Sequence, residues 1–210
     1  MTQHIYAFGS ICRGEVDKSS DVDLLAIVDG FDQRFDPNEY SIYSYSRINE
    51  LWREGNPFAW HLYLEARLIY ADDGSDYLRS QSKPSNYKRG LLDCKKFRDV
   101  FQSAKESLNK TNLTETFDIS SMFLSIRNLA TCYSLARCSV PDFSRSSALR
   151  LNGESIPLDE RNYRILERAR LLCTRGDGEL LNTVEIKIVK RSIPLIEGWM
   201  SMLIKKVENS

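Results

Sequence analysis

The sequence predicts an α+β protein, a small mixed sheet followed by an all-helical bundle. Two changes of pattern along its 210 residues predict it. Up to Gly74, short apolar runs rich in strand formers alternate with Gly, Asn, Asp and Pro turns, as in a sheet with local helices. From Asn86 onward the apolar residues recur every three or four positions, the period of a helix buried on one side. Between them Ser75 to Ser85 is polar, carries Pro84 and has little to bury, which predicts a linker between domains at residues 1–80 and 86–210.

Taken in order, the first strand is expected from Ile5 to Phe8, then a Gly9-Ser10 turn, a polar excursion through Arg13 and Gly14, and a second strand from Val22 to Val28. Asp29-Gly30 and Asp36-Pro37-Asn38 mark turns. Glu39 to Ser46 is a third strand, paired with the second. Arg47 to Glu54 reads as a helix stopped by Gly55-Asn56-Pro57, Phe58 to Glu65 as another, and Ala66 to Ala71 as a strand. In the helical part, Leu91 to Leu108 carries one amphipathic stripe and ends near Lys110, and a second helix announced by Asp118 runs to about Arg137, before Pro141. Phe143 to Leu151 is a short helix or turn, Leu158 to Cys173 a third long helix, and Leu180 to Val207 a last one that Pro194 is expected to kink or divide.

Composition excludes several classes. Five cysteines, an odd number with no C-x-x-C spacing, suggest neither a disulfide framework nor a zinc site. No apolar run has the length of a membrane span, and Met1 to His4 leads straight into a strand, so the expected setting is the cytoplasm with no membrane partner. The zero net charge hides a division: Lys and Arg minus Asp and Glu is 7 − 14 = −7 over residues 1–82 and 22 − 15 = +7 over residues 83–210. The halves either attract each other, within the chain or between copies, or the basic half supplies a field for a polyanion. Charge spread along solvated helix faces is the plainer reading, and a homo-oligomer is left open.

Chemistry concentrates at the mouth of the second strand. Asp21 and Asp23 stand two apart, so on a strand they project to one face. Two carboxylates so close repel each other unless a divalent cation lies between them, and Mg²⁺ is usually held by one or two carboxylates plus substrate phosphates. Gly9 lets the backbone pass close to a phosphate chain, and Ser10 offers a hydroxyl and an N–H to a phosphate oxygen. An ordinary hairpin with Asp21 as a loop-end cap explains the turn but not the second carboxylate.

Gly9-Ser10, Arg13-Gly14, Ser20-Asp21 and Val22-Asp23-Leu24 together resemble the signature of the nucleotidyltransferase superfamily, which includes DNA polymerase beta, the aminoglycoside nucleotidyltransferases and small stand-alone members. The resemblance covers about the first third of the chain. It implies transfer of a nucleoside monophosphate, AMP from ATP being the expected case, to a hydroxyl of a small molecule, protein or RNA. It assigns Mg²⁺ or Mn²⁺ to Asp21 and Asp23, the nucleotide to Gly9, Ser10 and Ser20, and leaving-group stabilisation to Arg13. The superfamily's third strand usually brings a third carboxylate, whereas Ser41, Tyr43, Ser44 and Tyr45 fill the slots here. Glu65 is the expected stand-in as catalytic acid or base, with His61 four residues earlier on the same helix face.

In the helical half, Arg127-Asn128 followed by Cys132 faintly resembles the centre of HEPN bundles. Their nuclease members place a histidine where this chain has Cys132, and a thiol does not replace imidazole near neutral pH, so nuclease activity is not expected. An acceptor-binding bundle, with Trp60, Tyr63 and Glu65 contributing to a cleft, is the other expectation. Lys88, Arg89, Lys95, Lys96 and Arg98 cluster near Tyr87 and Phe97 and read as a solvated face before they read as an RNA contact. The contrasting function is a degenerate, non-catalytic nucleotide-binding or antitoxin-like regulatory module.

Overall fold

The computed structural model describes residues 2–15, 22–30 and 32–209. The chain divides into two compact units, Met1–Lys88 and Arg89–Ser210. The first carries strands β1 (Gln3–Phe8), β2 (Asp23–Val28), β3 (Tyr40–Ser44) and β4 (Arg67–Ala71) with helices α1 (Tyr45–Glu54), α2 (Pro57–Glu65) and α3 (Tyr77–Ser80). The second carries α4 (Gly90–Lys110), α5 (Glu115–Arg137), α6 (Glu160–Arg175) and α7 (Thr183–Glu208). The α+β reading stands.

The four strands form one sheet in the order β3-β2-β1-β4. β1 is antiparallel to β2 and to β4, while β3 runs parallel to β2, as residues 29–39 allow by crossing over rather than turning back. Alternation sorts the side chains. Tyr6, Phe8, Leu25 and Ile27 bury on one face against Ile48, Leu51 and Trp52 of α1 and Ala59 and Leu62 of α2. Ala26 and Val28 bury on the other against Phe35, with Ile5 and Tyr40 beside them. β3 ends one residue before Tyr45 because the Ser44 hydroxyl accepts from the Arg47 amide at 3.2 Å and caps α1, a better use of serine than a further ladder bond.

The expectation of a linker at Ser75 to Ser85 is corrected. Leu78 is buried, and its amide donates to the Tyr6 hydroxyl at 2.9 Å, which itself donates to Asp76 at 3.1 Å. The indole N–H groups of Trp52 and Trp60 donate to the carbonyls of Ser82 and Ser85 at 2.9 and 3.1 Å. Gly55 ends α1 at φ +63°, and a Cβ there would overlap the Ser85 and Asn86 carbonyls. The stretch is polar in its side chains, yet its backbone satisfies two buried indoles.

In the second unit α5 packs against α4, α6 and α7, so it buries residues all round, from Ile119 to Tyr133. Two of its buried hydroxyls bond locally, Ser125 donating back to Ser121 at 2.8 Å and Ser134 to Thr131 at 2.9 Å, while Thr131 donates to the Asp142 carbonyl at 3.0 Å. Asp159 and Gly176 cap α6 at its two ends, and Asn182 with Glu185 forms a capping box on α7. Pro194 does not divide α7, which runs unbroken from Thr183 to Glu208. Pro194 sits on the exposed side, where water can take the carbonyl bond that proline cannot supply.

Candidate active site

The site grows from the end of β1. Phe8 pairs across the ladder with Asp23, the first residue of β2. The chain then leaves the sheet through a 3-10 turn, Gly9–Arg13, closed by Gly14 at φ +72°. Gly9 has φ +76°, and a Cβ built on it would overlap the Asp23 carboxylate at Oδ2. Only glycine lets that carboxylate lie against the turn. Ser10 is buried beside it at 9% exposure, and the turn is held by Gly14 N–H donating to the Ile11 carbonyl at 3.2 Å and Glu15 N–H to the Ser10 carbonyl at 3.0 Å.

Helix α2 brings the other charged groups to the same face of the sheet. Its start is fixed by Asn56, whose side chain accepts from the Phe58 amide, and by Pro57 in the first turn. Phe8 meets Phe58 and His61 edge to face at 5.7 and 5.5 Å between centroids, which seats the helix. Arg13 donates from Nη1 to Glu65 Oε2 at 2.5 Å and from Nε to Glu15 at 2.8 Å. His61 Nε2 lies 2.8 Å from the same Oε2 of Glu65. Burial opposes the charge on Arg13, but Glu15 and Glu65 outweigh it and move the guanidinium above its usual range. Burial is also the main reason the Cys12 thiol is pushed up, and the fields of Arg67, Glu65, Arg13 and Asp23 all reach it.

Beyond Asp23 an open cavity of about 420 Å³ lies between β2 and β3, lined by Val22, Asp23, Leu24, Pro37, Asn38, Glu39, Tyr40 and Ser41. Leu24 pairs with Tyr40 and Leu25 with Ser41, so Glu39 stands at the position beside Asp23 and shares its cavity. Glu39 was not singled out among the candidate residues above. The signal that finds it is the parallel register, which antiparallel pairing would have spoiled.

Gly9, Ser10, Asp23, Arg13 and Glu65 thus surround one turn, while Ser20 and Asp21 lie outside the described residues. Among the described residues no group of three or more His, Cys, Asp or Glu can hold a metal ion. β3 carries no carboxylate.

Tyr63 and Trp60 form an edge-to-face pair at 6.2 Å, and Trp60 is buried. In the second unit Arg127 donates to the Phe143 carbonyl at 3.1 Å and Cys132 is buried. Arg89 pairs with Asp93 and Arg98 with Asp99 within α4 or at its start, and Lys95 with Glu208 of α7, ion pairs of a solvated surface. Among the described residues no helix is long and apolar enough to cross a membrane. No curated protein and no solved structure matches the chain. A family model does: residues 2–89, which take in the whole sheet and the segment after it, match the nucleotidyltransferase domain.

Proposed function

We propose that the protein is a metal-dependent nucleotidyltransferase that moves a nucleoside monophosphate, AMP in the first instance, from an NTP to an acceptor hydroxyl. The observation that carries the reading is the seat of Asp23, whose carboxylate occupies the space a side chain on Gly9 would fill. A carboxylate tucked against a positive-φ turn brings a cation site and a phosphate-binding backbone within one ligand's reach.

Asp23, with Asp21 two residues before it, is the pair that would hold Mg²⁺ or Mn²⁺. When bound, the cation supplies charge neutralisation on the triphosphate and the leaving pyrophosphate. The chain's own work is positioning and electrostatics. Gly9 and Ser10 present the turn to the phosphates, with Ser20 as a further donor. The acceptor enters by the cavity between β2 and β3, where exposed Glu39 faces solvent and offers a carboxylate to the hydroxyl proton. Small-molecule, protein and RNA acceptors all fit an open cavity, and the helical unit is the candidate acceptor-binding or HEPN-like partner of the domain.

The test is incubation of the full chain with labelled NTPs and Mg²⁺ or Mn²⁺ against cell extract, the protein itself, tRNA and aminoglycosides. Label transfer that is lost in Asp23→Asn supports the reading. Calorimetry with Mg-ATP that detects no heat, or a Kd unchanged by Asp21→Asn with Asp23→Asn, overturns it. A second reading, a non-catalytic nucleotide-binding or antitoxin-like module, is favoured by one observation: β3 brings no carboxylate to the site. Binding of Mg-ATP without transfer to any acceptor, in unaltered chain and Glu39→Gln alike, is its signature.

A further inference from the structure

Glu65 is placed by sequence as a catalytic acid or base, but its geometry suits another task. Its Oε2 meets two nitrogens, Arg13 Nη1 at 2.5 Å and His61 Nε2 at 2.8 Å. A general base needs a lone pair free to face the acceptor at hydrogen-bond distance; this oxygen faces the turn. The side chains of Arg13, Glu65 and His61 are 19, 11 and 15% exposed, so the contacts are not the loose surface pairs that contribute little. Charge-assisted bonds at such distances are the stronger kind.

Gly14 and Glu15 donate to the closing end of the Gly9–Arg13 turn, whose 3-10 bonding is less well aligned than that of an α-helix. Arg13 closes the turn, and the partner that reaches it from helix α2 lies 52 residues away in sequence. His61 in turn rests its ring edge-on against Phe8, the residue immediately before Gly9. The cluster is therefore a loop of contacts, from Phe8 through His61, Glu65 and Arg13 back to the turn.

We propose that Glu65, braced by His61, is a positioning residue that holds Arg13, and with it the Gly9–Arg13 turn, in the geometry that receives a nucleoside triphosphate. The proposal rests on the nucleotidyltransferase reading above. Among the described residues two of the five N–H groups of the Arg13 guanidinium go to Glu15 and Glu65, and the fork of donors they orient is the part that would meet a phosphate oxygen. Glu65 then acts before the chemistry, on affinity, and not on the proton of the acceptor.

The full-length variants Glu65→Ala, Glu65→Gln and His61→Asn separate the roles. Hydrogen–deuterium exchange over residues 9–15 is expected to quicken about tenfold in Glu65→Ala, with peptides from β2 and α5 unchanged. Glu65→Gln keeps an acceptor for Arg13 and restores most of that protection. In calorimetric titration with Mg-ATP, Kd is expected to weaken about tenfold in Glu65→Ala and about threefold in His61→Asn, with Glu65→Gln between them and the unaltered chain. A base would behave otherwise: Gln and Ala would lose transfer equally at unchanged Kd, and that result overturns the proposal. Unchanged exchange over residues 9–15 in Glu65→Ala overturns it as well. Absence of Mg-nucleotide binding by the unaltered chain would instead sink the nucleotidyltransferase reading, and the exchange comparison would still decide whether Glu65 holds the turn.

Discussion

The chain has two histidines, and both lie on the same face of the same sheet. His61 stands edge-on to Phe8 at one end of β1; His4 stacks on Tyr6 near the other, at 6.3 Å between centroids and 13° between planes. Four residues of strand, about 13 Å, separate Phe8 from His4. At the first end the imidazole meets a carboxylate that also holds a guanidinium. At the second it is closed in: His4 is 2% exposed, with Nδ1 2.6 Å from the Tyr45 hydroxyl, Nε2 3.2 Å from Ser75, and the rings of Tyr45 and Tyr77 around it. One end joins charged groups, a guanidinium and a carboxylate, around its imidazole; the other surrounds its imidazole with hydroxyls and tyrosine rings.

That contrast is sharpest in the pair Asp23→Asn and His4→Ala. Asp23→Asn is expected to cut transfer by at least about a hundredfold while the melting temperature stays within about 2 °C. His4→Ala is expected to lower stability by about 2 kcal/mol, because it strands the Tyr45 hydroxyl and opens space among three tyrosines, with the nucleotide Kd unchanged. Denaturant unfolding and Mg-ATP calorimetry on both variants check this, and a His4 variant that loses nucleotide binding at full stability would break the distinction.

Gly9→Ala tests the open end by geometry alone. Its Cβ would collide with Asp23 and its φ is +76°, so a loss of about 1–3 kcal/mol is expected, together with weaker Mg-ATP binding. Gly74→Ala, also at positive φ but with nothing within 4 Å of the added carbon, is expected to lose stability and keep the nucleotide.

The closed end is also expected to show itself at high pH. Burial, then Asp29 and Asp73, push the Tyr45 hydroxyl up to about 12. Its folded pKa is raised, so the stability it contributes is complete below about pH 10, the usual tyrosine value, and is lost as pH rises toward 12. Tyrosinate absorbance should therefore rise late for this group, and Tyr45→Phe should remove one tyrosine's share of a late phase to which buried Tyr6 and Tyr163 also contribute. The smallest effect lies at Cys12: with its thiol pushed up, mainly by burial, it should alkylate more slowly near neutral pH than exposed Cys173, as peptide mass mapping after iodoacetamide would read.

Much of this was legible in the residues. Strands at Ile5 to Phe8 and before Val28, helices before Gly55 and Gly176, and the change to helical period after Asn86 follow from periodicity and caps, which are local. The pairing of His61 with Glu65 is legible too, since four residues make one helical turn. Arg13 with Glu65 is not, being set by where the sheet docks α2. Nor is Glu39, whose place depends on β3 running parallel to β2. The segment after Gly74 misleads because composition records side chains and the partners there are carbonyls. Pro194 misleads because a helix interrupter is tolerated where its vacant carbonyl is wet.

The bond from Trp60 to Ser85 has a bearing on synthesis. Two indoles laid down by residue 60 wait for acceptors at residues 82 and 85, so the first unit matures only when some 25 further residues have left the ribosome, about the span separating Trp60 from Ser85. A chain released after Ala71 would own all four strands and still expose both tryptophans to chaperones and proteases. The unit is finished last by the residues that look least like part of it.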